Sequence, residues 1–131
     1  MLIEQFTINT ELPTLNEYIK AERGTKGKYI AAKLKKNATE SVAWFVQSQS
    51  VLLPKDTLFD VVIDWYRKDK RHDSDNVFFG VKFILDGLVL SGKLENDNRK
   101  HIQNIHNNII TDRKSNANFC IVKIYKAQNP C

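Results

Sequence analysis

Carboxylate and amide side chains form two short clusters on either side of one apolar stretch. The first is Asp73-Ser74-Asp75-Asn76 and the second is Glu95-Asn96-Asp97-Asn98. The first cluster follows a β-patterned run at 58–66 and precedes an apolar helical run, so its carboxylates are predicted at a strand-to-helix junction. In an extended segment, side chains two apart point the same way, and a third carboxylate from beyond the helix could complete a set of oxygen ligands for magnesium. Such a set is typical of a metal-dependent phosphodiesterase.

A purely structural role is the main alternative for these acids. Asp and Ser just before a helix are preferred N-caps, so capping alone would explain any one of Asp73, Ser74 and Asp75. A cap requires only one acid, whereas two stand together here, directly after the basic run at 67–72. From the residues alone, capping and metal binding both remain open.

Two other functions of an Asp-x-Asp string are excluded by the surrounding sequence. A calcium-binding loop requires Asp or Asn where Val77 stands and Gly where Phe78 stands. A nucleotide-sugar transferase requires a nucleotide-binding layer and an acceptor domain, for which 131 residues leave little room.

The composition indicates one globular domain with an anionic partner. The chain is long enough to bury its own core, and its 42% hydrophobic and 27% charged content is ordinary. A formal net charge of +5 favours an anionic partner. Seven bases and one acid lie between Lys20 and Lys36, and four bases lie between Arg67 and Arg71, beside the acids. We interpret these runs as a phosphate-binding track; for the first run, an ordinary solvated face is the alternative.

The two cysteines and the N-terminal residues bear on the compartment. Cys120 and Cys131 have neither metal-ligand spacing nor a disulfide framework, so we expect a reduced intracellular compartment. Residues 1–5 do not begin a charged stretch followed by an apolar one, which is the pattern of a secretion signal, and no run of eighteen apolar residues occurs. We therefore expect neither export nor membrane association.

Hydrophobic periodicity predicts an α/β (α+β) fold. We predict a single small domain over residues 1–131, with a mixed β-sheet, two main helices and the order β-α-β-α-β-β. The predicted strands are 2–8, 58–66, 101–105 and 118–125, and the predicted helices are 31–49 and 76–90. Residues 12–19 are expected to begin a loop or short turn, and the stretch from there to Lys28 is expected to be mobile. Residues 107–116 are expected to form a polar connection.

Lys82 is a basic candidate for the same site. It lies seven residues after Asp75, two turns along the same face of the predicted helix, so its ammonium group could approach the carboxylates or a bound phosphate. The alternative is a solvent-facing helix lysine, which is the commonest fate of this residue.

Four motifs together resemble a known nuclease family. They are Asp-Ser-Asp-Asn at 73–76, Lys-Phe-Ile-Leu-Asp-Gly-Leu at 82–88, Glu-Asn-Asp at 95–97 and Leu-Pro-Thr-Leu-Asn-Glu-Tyr-Ile at 12–19. With this spacing the chain resembles the RusA family of Holliday-junction resolvases, particularly its phage and prophage branch. The resemblance covers roughly residues 3–105.

The resemblance implies a small mixed α/β domain that forms a homodimer, binds Mg²⁺ and cuts four-way DNA. Carried over by motif, the family's three essential aspartates fall on Asp73, Asp75 and Asp97, which would be both catalytic and metal-binding. The essential lysine falls on Lys82, at a longer spacing from the acid pair than in the shortest members. Asn96 stands where many relatives carry another acid. Mn²⁺ is expected to substitute for Mg²⁺, and no small-molecule cofactor is expected.

The expected function is therefore a magnesium-dependent endodeoxyribonuclease that resolves four-way junctions by paired symmetric nicks during recombination and repair. The expected location is the cytoplasm of a bacterium or of a phage-infected host cell. Two alternatives remain: a dimer that binds branched DNA without catalysis, and a less selective metal-dependent nuclease acting on flaps or single strands. The predicted DNA contacts are Lys20, Arg23, Lys26, Lys28, Lys33, Lys35, Lys36, Arg67, Lys68, Lys70, Arg71, Arg99 and Lys100.

Overall fold

The computed structural model describes residues 1–128, so Cys131 lies outside the described residues. In chain order the elements are β1 (Leu2–Ile8), α1 (Leu15–Arg23), α2 (Gly27–Ser48), β2 (Phe59–Arg67), α3 (Ser74–Phe78), α4 (Val81–Leu90), β3 (Ile102–Thr111) and β4 (Phe119–Lys126). None of the helices in this part of the chain has the length and apolar character needed to span a lipid bilayer.

The strands form one mixed four-stranded sheet in the order β1-β4-β2-β3. Strand β4 pairs antiparallel with β1 and β2, whereas β3 pairs parallel with β2. The predicted fold class, a small α+β domain with a mixed sheet, is confirmed. Strands β1, β2 and β4 lie within one residue of their predicted positions, because each is rich in the β-branched and aromatic residues that favour strands.

The core lies between one face of the sheet and helices α2 and α4. It contains Phe6 and Ile8 of β1, Val61 and Ile63 of β2, Val122 and Ile124 of β4, Val42 and Val46 of α2, and Ile84 and Leu88 of α4. The two helices approach closely at Gly87, where an added Cβ would come within 2.4 Å of Val42 Cγ1. The glycine of the 82–88 motif therefore permits this helix contact.

Helix α1 replaces the predicted loop and mobile segment. Thr14 caps it: the Glu17 N–H donates to Thr14 Oγ1 over 3.3 Å, and the Thr14 hydroxyl donates to Glu17 Oε1 over 3.2 Å. Thr14 is buried. This Thr-x-x-Glu pairing is a helix-start signal that outweighs Pro13 and the later glycines. With α1 added and the second predicted helix divided, the observed order is β-α-α-β-α-α-β-β, and the predicted order is wrong.

The second predicted helix is interrupted between α3 and α4. At the interruption the Gly80 N–H bonds to Val77 O and the Phe83 N–H to Gly80 O, each across three residues rather than four. An added Cβ on Gly80 would come within 2.7 Å of Trp65 Cη2, so the indole ring packs where only glycine fits. The interruption therefore coincides with close packing against β2.

Strand β3 runs to Thr111 and takes over part of the predicted polar connection. Asparagines do not favour strands, but here they have partners within the sheet. The bonds are Asn104 Nδ2 to Asp60 Oδ1 (3.1 Å), Asn108 Nδ2 to Asp64 Oδ1 (3.0 Å) and Trp65 Nε1 to Asn107 Oδ1 (2.9 Å).

Candidate metal and nucleic-acid site

Asp73 and Asp75 stand at the start of α3 with both side chains exposed. Asp73 occupies the N-cap position in an extended conformation (φ −67°, ψ 155°), but its side chain makes no capping hydrogen bond. Asp75 lies in the first helical turn, where its Oδ1 accepts from the Asn76 N–H over 3.0 Å. The acids therefore do not share an extended segment, as the sequence suggested, because the helix begins at Ser74.

Asn76 connects the acid pair to helix α1. It is 6% exposed, and its Oδ1 accepts a hydrogen bond from the backbone N–H of Asn16 over 2.8 Å. Asn16 belongs to the 12–19 motif and Asn76 to the 73–76 motif. The two motifs are thus in contact in the folded chain, although no pattern in the sequence pairs these asparagines.

A basic face of α1 begins at this contact. Asn16, Lys20 and Arg23 lie on successive turns and, with Ile19 and Gly24, line an open groove of about 500 Å³. The Asn16 end of this groove is bonded to Asn76 of the 73–76 motif. Two predicted DNA contacts, Lys20 and Arg23, therefore lie on the helix whose first turn is bonded to the helix that carries Asp75.

The remaining predicted DNA contacts differ in exposure. Lys26, Lys28, Lys33, Lys36, Lys68, Lys70, Arg71, Arg99 and Lys100 are exposed, and Lys35 is half-buried. Arg67 is buried, and its Nη2 lies 3.1 Å from Glu11 Oε1 and 3.2 Å from His72 Nδ1. The prediction that Arg67 contacts DNA does not agree with this burial, and the arginine instead ties the segment after β2 to the N-terminal loop.

Asp97 lies in the loop between α4 and β3 and is exposed. Its neighbours fold that loop: the Asn98 N–H donates to Asn96 Oδ1 over 3.0 Å, and His101 Nε2 lies 3.5 Å from Glu95 Oε2. Asn96 therefore has a structural role at the position where the resemblance would place another acid.

The three aspartates do not form one ligand set in the described chain. Among residues 1–128, no three His, Cys, Asp or Glu side chains lie close enough together to hold a metal ion. Carboxylate oxygens are the donors that Mg²⁺ prefers, so Asp73, Asp75 and Asp97 fit the ion by type. The single chain does not, however, bring the three carboxylates together at one point.

Lys82 is exposed in the first turn of α4. The sequence placed it two turns after Asp75 on one straight helix. The interruption at residues 79–80 divides that helix into α3 and α4, so the sequence spacing by itself no longer sets the direction from Lys82 to the acids.

An ion pair that the sequence did not predict lies on the sheet face opposite the helices. Lys123 Nζ is 2.9 Å from Asp64 Oδ2, and Asn108 donates to the other carboxylate oxygen. Burial of Asp64 opposes its ionisation, but the hydrogen bonds from Asn108 and Lys123 and the lysine charge outweigh burial and lower the pKa of Asp64. The hydrogen bond to Asp64 and its charge in turn raise the pKa of Lys123.

Comparison with known protein families and with curated proteins finds no match. The function is therefore inferred from the residues of the site and from their positions in the fold.

Proposed function

We propose that the protein is a magnesium-dependent endodeoxyribonuclease that resolves four-way DNA junctions as a homodimer, by paired symmetric nicks during recombination and repair. The observation that supports this best is the Asn16–Asn76 hydrogen bond, which joins the helix that carries the basic groove to the helix that carries Asp75. We place the activity in the cytoplasm of a bacterium or of a phage-infected host cell.

The chemistry of phosphodiester hydrolysis agrees with these residue types. Asp73 and Asp75 would hold Mg²⁺, or Mn²⁺ in its place, through carboxylate oxygens, and Asp97, which the single chain does not gather into one set with them, would have to approach them to serve as a third ligand. The bound ion would supply an activated water and neutralise charge on the phosphate. Lys82 would add a positive charge near the phosphate as negative charge develops in the transition state.

Binding would depend mainly on phosphate contacts. Positive charge is available on α1, where Lys20 and Arg23 line the groove. The segment between β2 and α3, directly before Asp73, adds the exposed Lys68, Lys70 and Arg71. Such contacts fix the position of DNA without reading its sequence. A four-way junction has near two-fold symmetry, and a symmetric dimer carries two equivalent sites for its two cuts.

The decisive experiment offers the protein a synthetic four-way junction, a flap and a linear duplex, each with and without Mg²⁺. We expect cleavage of the junction in Mg²⁺ only. We expect Asp75→Asn to abolish cleavage while junction binding stays intact or tightens, because a ligand charge is lost and repulsion of phosphates is reduced. Glu40→Gln, which removes an exposed carboxylate from α2, is the matched control and should cut normally.

Each other outcome identifies an alternative. If Asp75→Asn still nicks the junction at near the parental rate, the metal-site assignment is wrong. Binding without cleavage under every metal condition would indicate a branched-DNA-binding dimer. Cuts in the flap or duplex at rates similar to those in the junction would indicate a less selective nuclease.

A further inference from the structure

The two edges of the sheet differ in how their backbone groups are protected. At the β1 edge, the Gln49 side chain covers Thr7: Nε2 donates to Thr7 O over 2.6 Å, and Oε1 accepts from the Thr7 N–H over 2.9 Å. Nearby, Glu4 Oε1 accepts from the Leu52 N–H over 3.2 Å. Side chains thus cover this edge, as proteins commonly arrange to prevent unwanted strand pairing.

The β3 edge lacks the usual protection. Strand β3 is ten residues long and contains no Asp, Glu, Lys, Arg or Pro, in a chain with 27% charged residues. Its one irregularity lies at its beginning, and from Asn104 to Thr111 the pairing with β2 is regular. Ile105 and Ile110 are 38% and 37% exposed. A long, uncharged and partly apolar edge is a surface suited to pairing with another strand.

Backbone direction identifies which groups are available for pairing. The Asp112 N–H donates to Arg67 O over 2.8 Å, so the backbone of Asp112 points toward β2. Because backbone groups alternate along a strand, the N–H and C=O groups of Ile105, Asn107 and Ile109 point away from β2. Every second residue of β3 therefore presents a donor and an acceptor at the edge.

We propose that β3 of one protomer pairs antiparallel with β3 of a second copy about a two-fold axis at Asn107. The two four-stranded sheets would then form one continuous sheet. In this register Asn107 lies opposite its own copy, and Ile105 lies opposite the partner's Ile109, so the outward groups of all three residues exchange hydrogen bonds.

The sequence of β3 fits a second copy of this chain in particular. Each chain has a net charge of +5, so two copies repel one another through their net charges. Along β3 no like charges meet, because the strand has none. About Asn107 the strand is also self-complementary: isoleucine faces isoleucine on the helix side of the sheet, and His106 faces the partner's Asn108 on the other side.

This interface and the proposed nuclease activity can fail separately. Paired cuts in a junction require a dimer, but the interface is inferred from the unprotected edge alone. A dimer without nuclease activity would leave the interface standing, and an active monomer would overturn it.

The first test measures oligomeric state by sedimentation over a wide range of protein concentrations. We expect the parent to be a dimer and Ile105→Lys to be a monomer. Each lysine would place a positive charge between two strands that contain no acidic residue to pair with it. Leu2→Lys is the matched control: it adds the same charge at a 47% exposed position on the β1 edge and should leave the dimer intact. Circular dichroism and thermal unfolding check that both variants are folded.

The second test fixes the register. In a Cys131→Ser chain, Asn107→Cys should give a disulfide-linked dimer on mild oxidation, because residues that face each other in a hydrogen-bonded antiparallel pair have Cα atoms about 5.5 Å apart. Gln5→Cys, an exposed position on β1, should not cross-link. The native Cys120 does not interfere, because burial raises its pKa to about 12 and encloses the thiol.

Three results would overturn the inference. The first is a parent that is monomeric at every concentration, and the second is an Ile105→Lys variant that dimerises as well as the parent. The third is a dimer that Leu2→Lys dissociates and Ile105→Lys does not, because that result would assign the contact to the opposite edge.

Discussion

The backbone N–H of Asn16 donates to the side-chain Oδ1 of Asn76 over 2.8 Å, across 60 residues of sequence. The Asn76 side chain is shielded from water, so it holds the start of α1 against the start of α3. Because Asn76 directly follows Asp75, this bond sets where the basic face of α1 lies relative to the acid pair.

We expect Asn76→Ala to lower the free energy of unfolding by about 1–3 kcal/mol, because it leaves the Asn16 N–H without a buried acceptor. Cleavage of a junction should fall as well, since α1 loses its fixed position beside Asp75. Urea unfolding and single-turnover cleavage measure the two effects. Asn37→Ala, at an exposed position of α2, is the control and should change neither; a parental urea midpoint for Asn76→Ala would show that the bond contributes little.

Lys82→Ala tests whether this lysine acts on the reaction or only decorates a helix surface. If it stabilises charge in the transition state, the single-turnover rate should fall by about a hundredfold or more. Junction affinity should change little, because one phosphate contact is a small share of binding. Rates at saturating protein are compared with Lys93→Ala and Lys100→Ala. A silent Lys82→Ala with an inactive Lys93→Ala or Lys100→Ala would assign the role to the other lysine.

Salt dependence tests the basic groove. Junction affinity should fall steeply as salt rises, and the slope of log affinity against log salt should decrease by about 0.9 for each phosphate contact removed. Lys20→Ala with Arg23→Ala should flatten the slope, and so should neutralising Lys33, Lys35 and Lys36 together, of which Lys36 already lies 3.9 Å from Glu40. A flat plot for the parent would reject both basic runs as the DNA track.

Asp64 predicts a specific pH dependence of stability. Its pKa in the folded protein is lower than the ordinary value of 3.8, so the folded state binds this proton less readily than the unfolded state. The resulting stabilisation is fully present above pH 3.8 and is lost as the pH falls through the lowered pKa. Asp64→Asn should therefore remove part of the acid-induced loss of stability, as measured by urea unfolding between neutral and acid pH.

A double-mutant cycle with Lys123→Met assigns this effect to the ion pair. In the parent, Lys123→Met leaves the buried carboxylate of Asp64 without its cation. Lys123→Met should therefore lower the free energy of unfolding more in the parent than in the Asp64→Asn variant. If the two substitutions lower the free energy of unfolding additively, Asp64 and Lys123 are not energetically coupled despite their 2.9 Å contact.

Some features of this protein follow from the sequence alone because their causes are local. The alternation from Phe59 to Trp65 is enough to predict a strand with one buried face, and the apolar spacing in α2 is enough to predict a helix. The acid clusters and basic runs, with the chemistry they suggest, are likewise properties of neighbouring residues. The Thr14–Glu17 cap is also local, and the loop prediction for α1 was wrong because this cap begins a helix directly after Pro13.

Other features depend on residues that are distant in the chain, and only the tertiary structure decided them. The helix is interrupted at Gly80, against which the Trp65 ring packs; β3 extends because its asparagines find partners in β2, and Arg67 is buried where Glu11 and His72 bind it. No local pattern announces such contacts, because each depends on packing that brings two separate segments together. For the same reason the sequence could name Asp73, Asp75 and Asp97 but could not determine how far the fold gathers them.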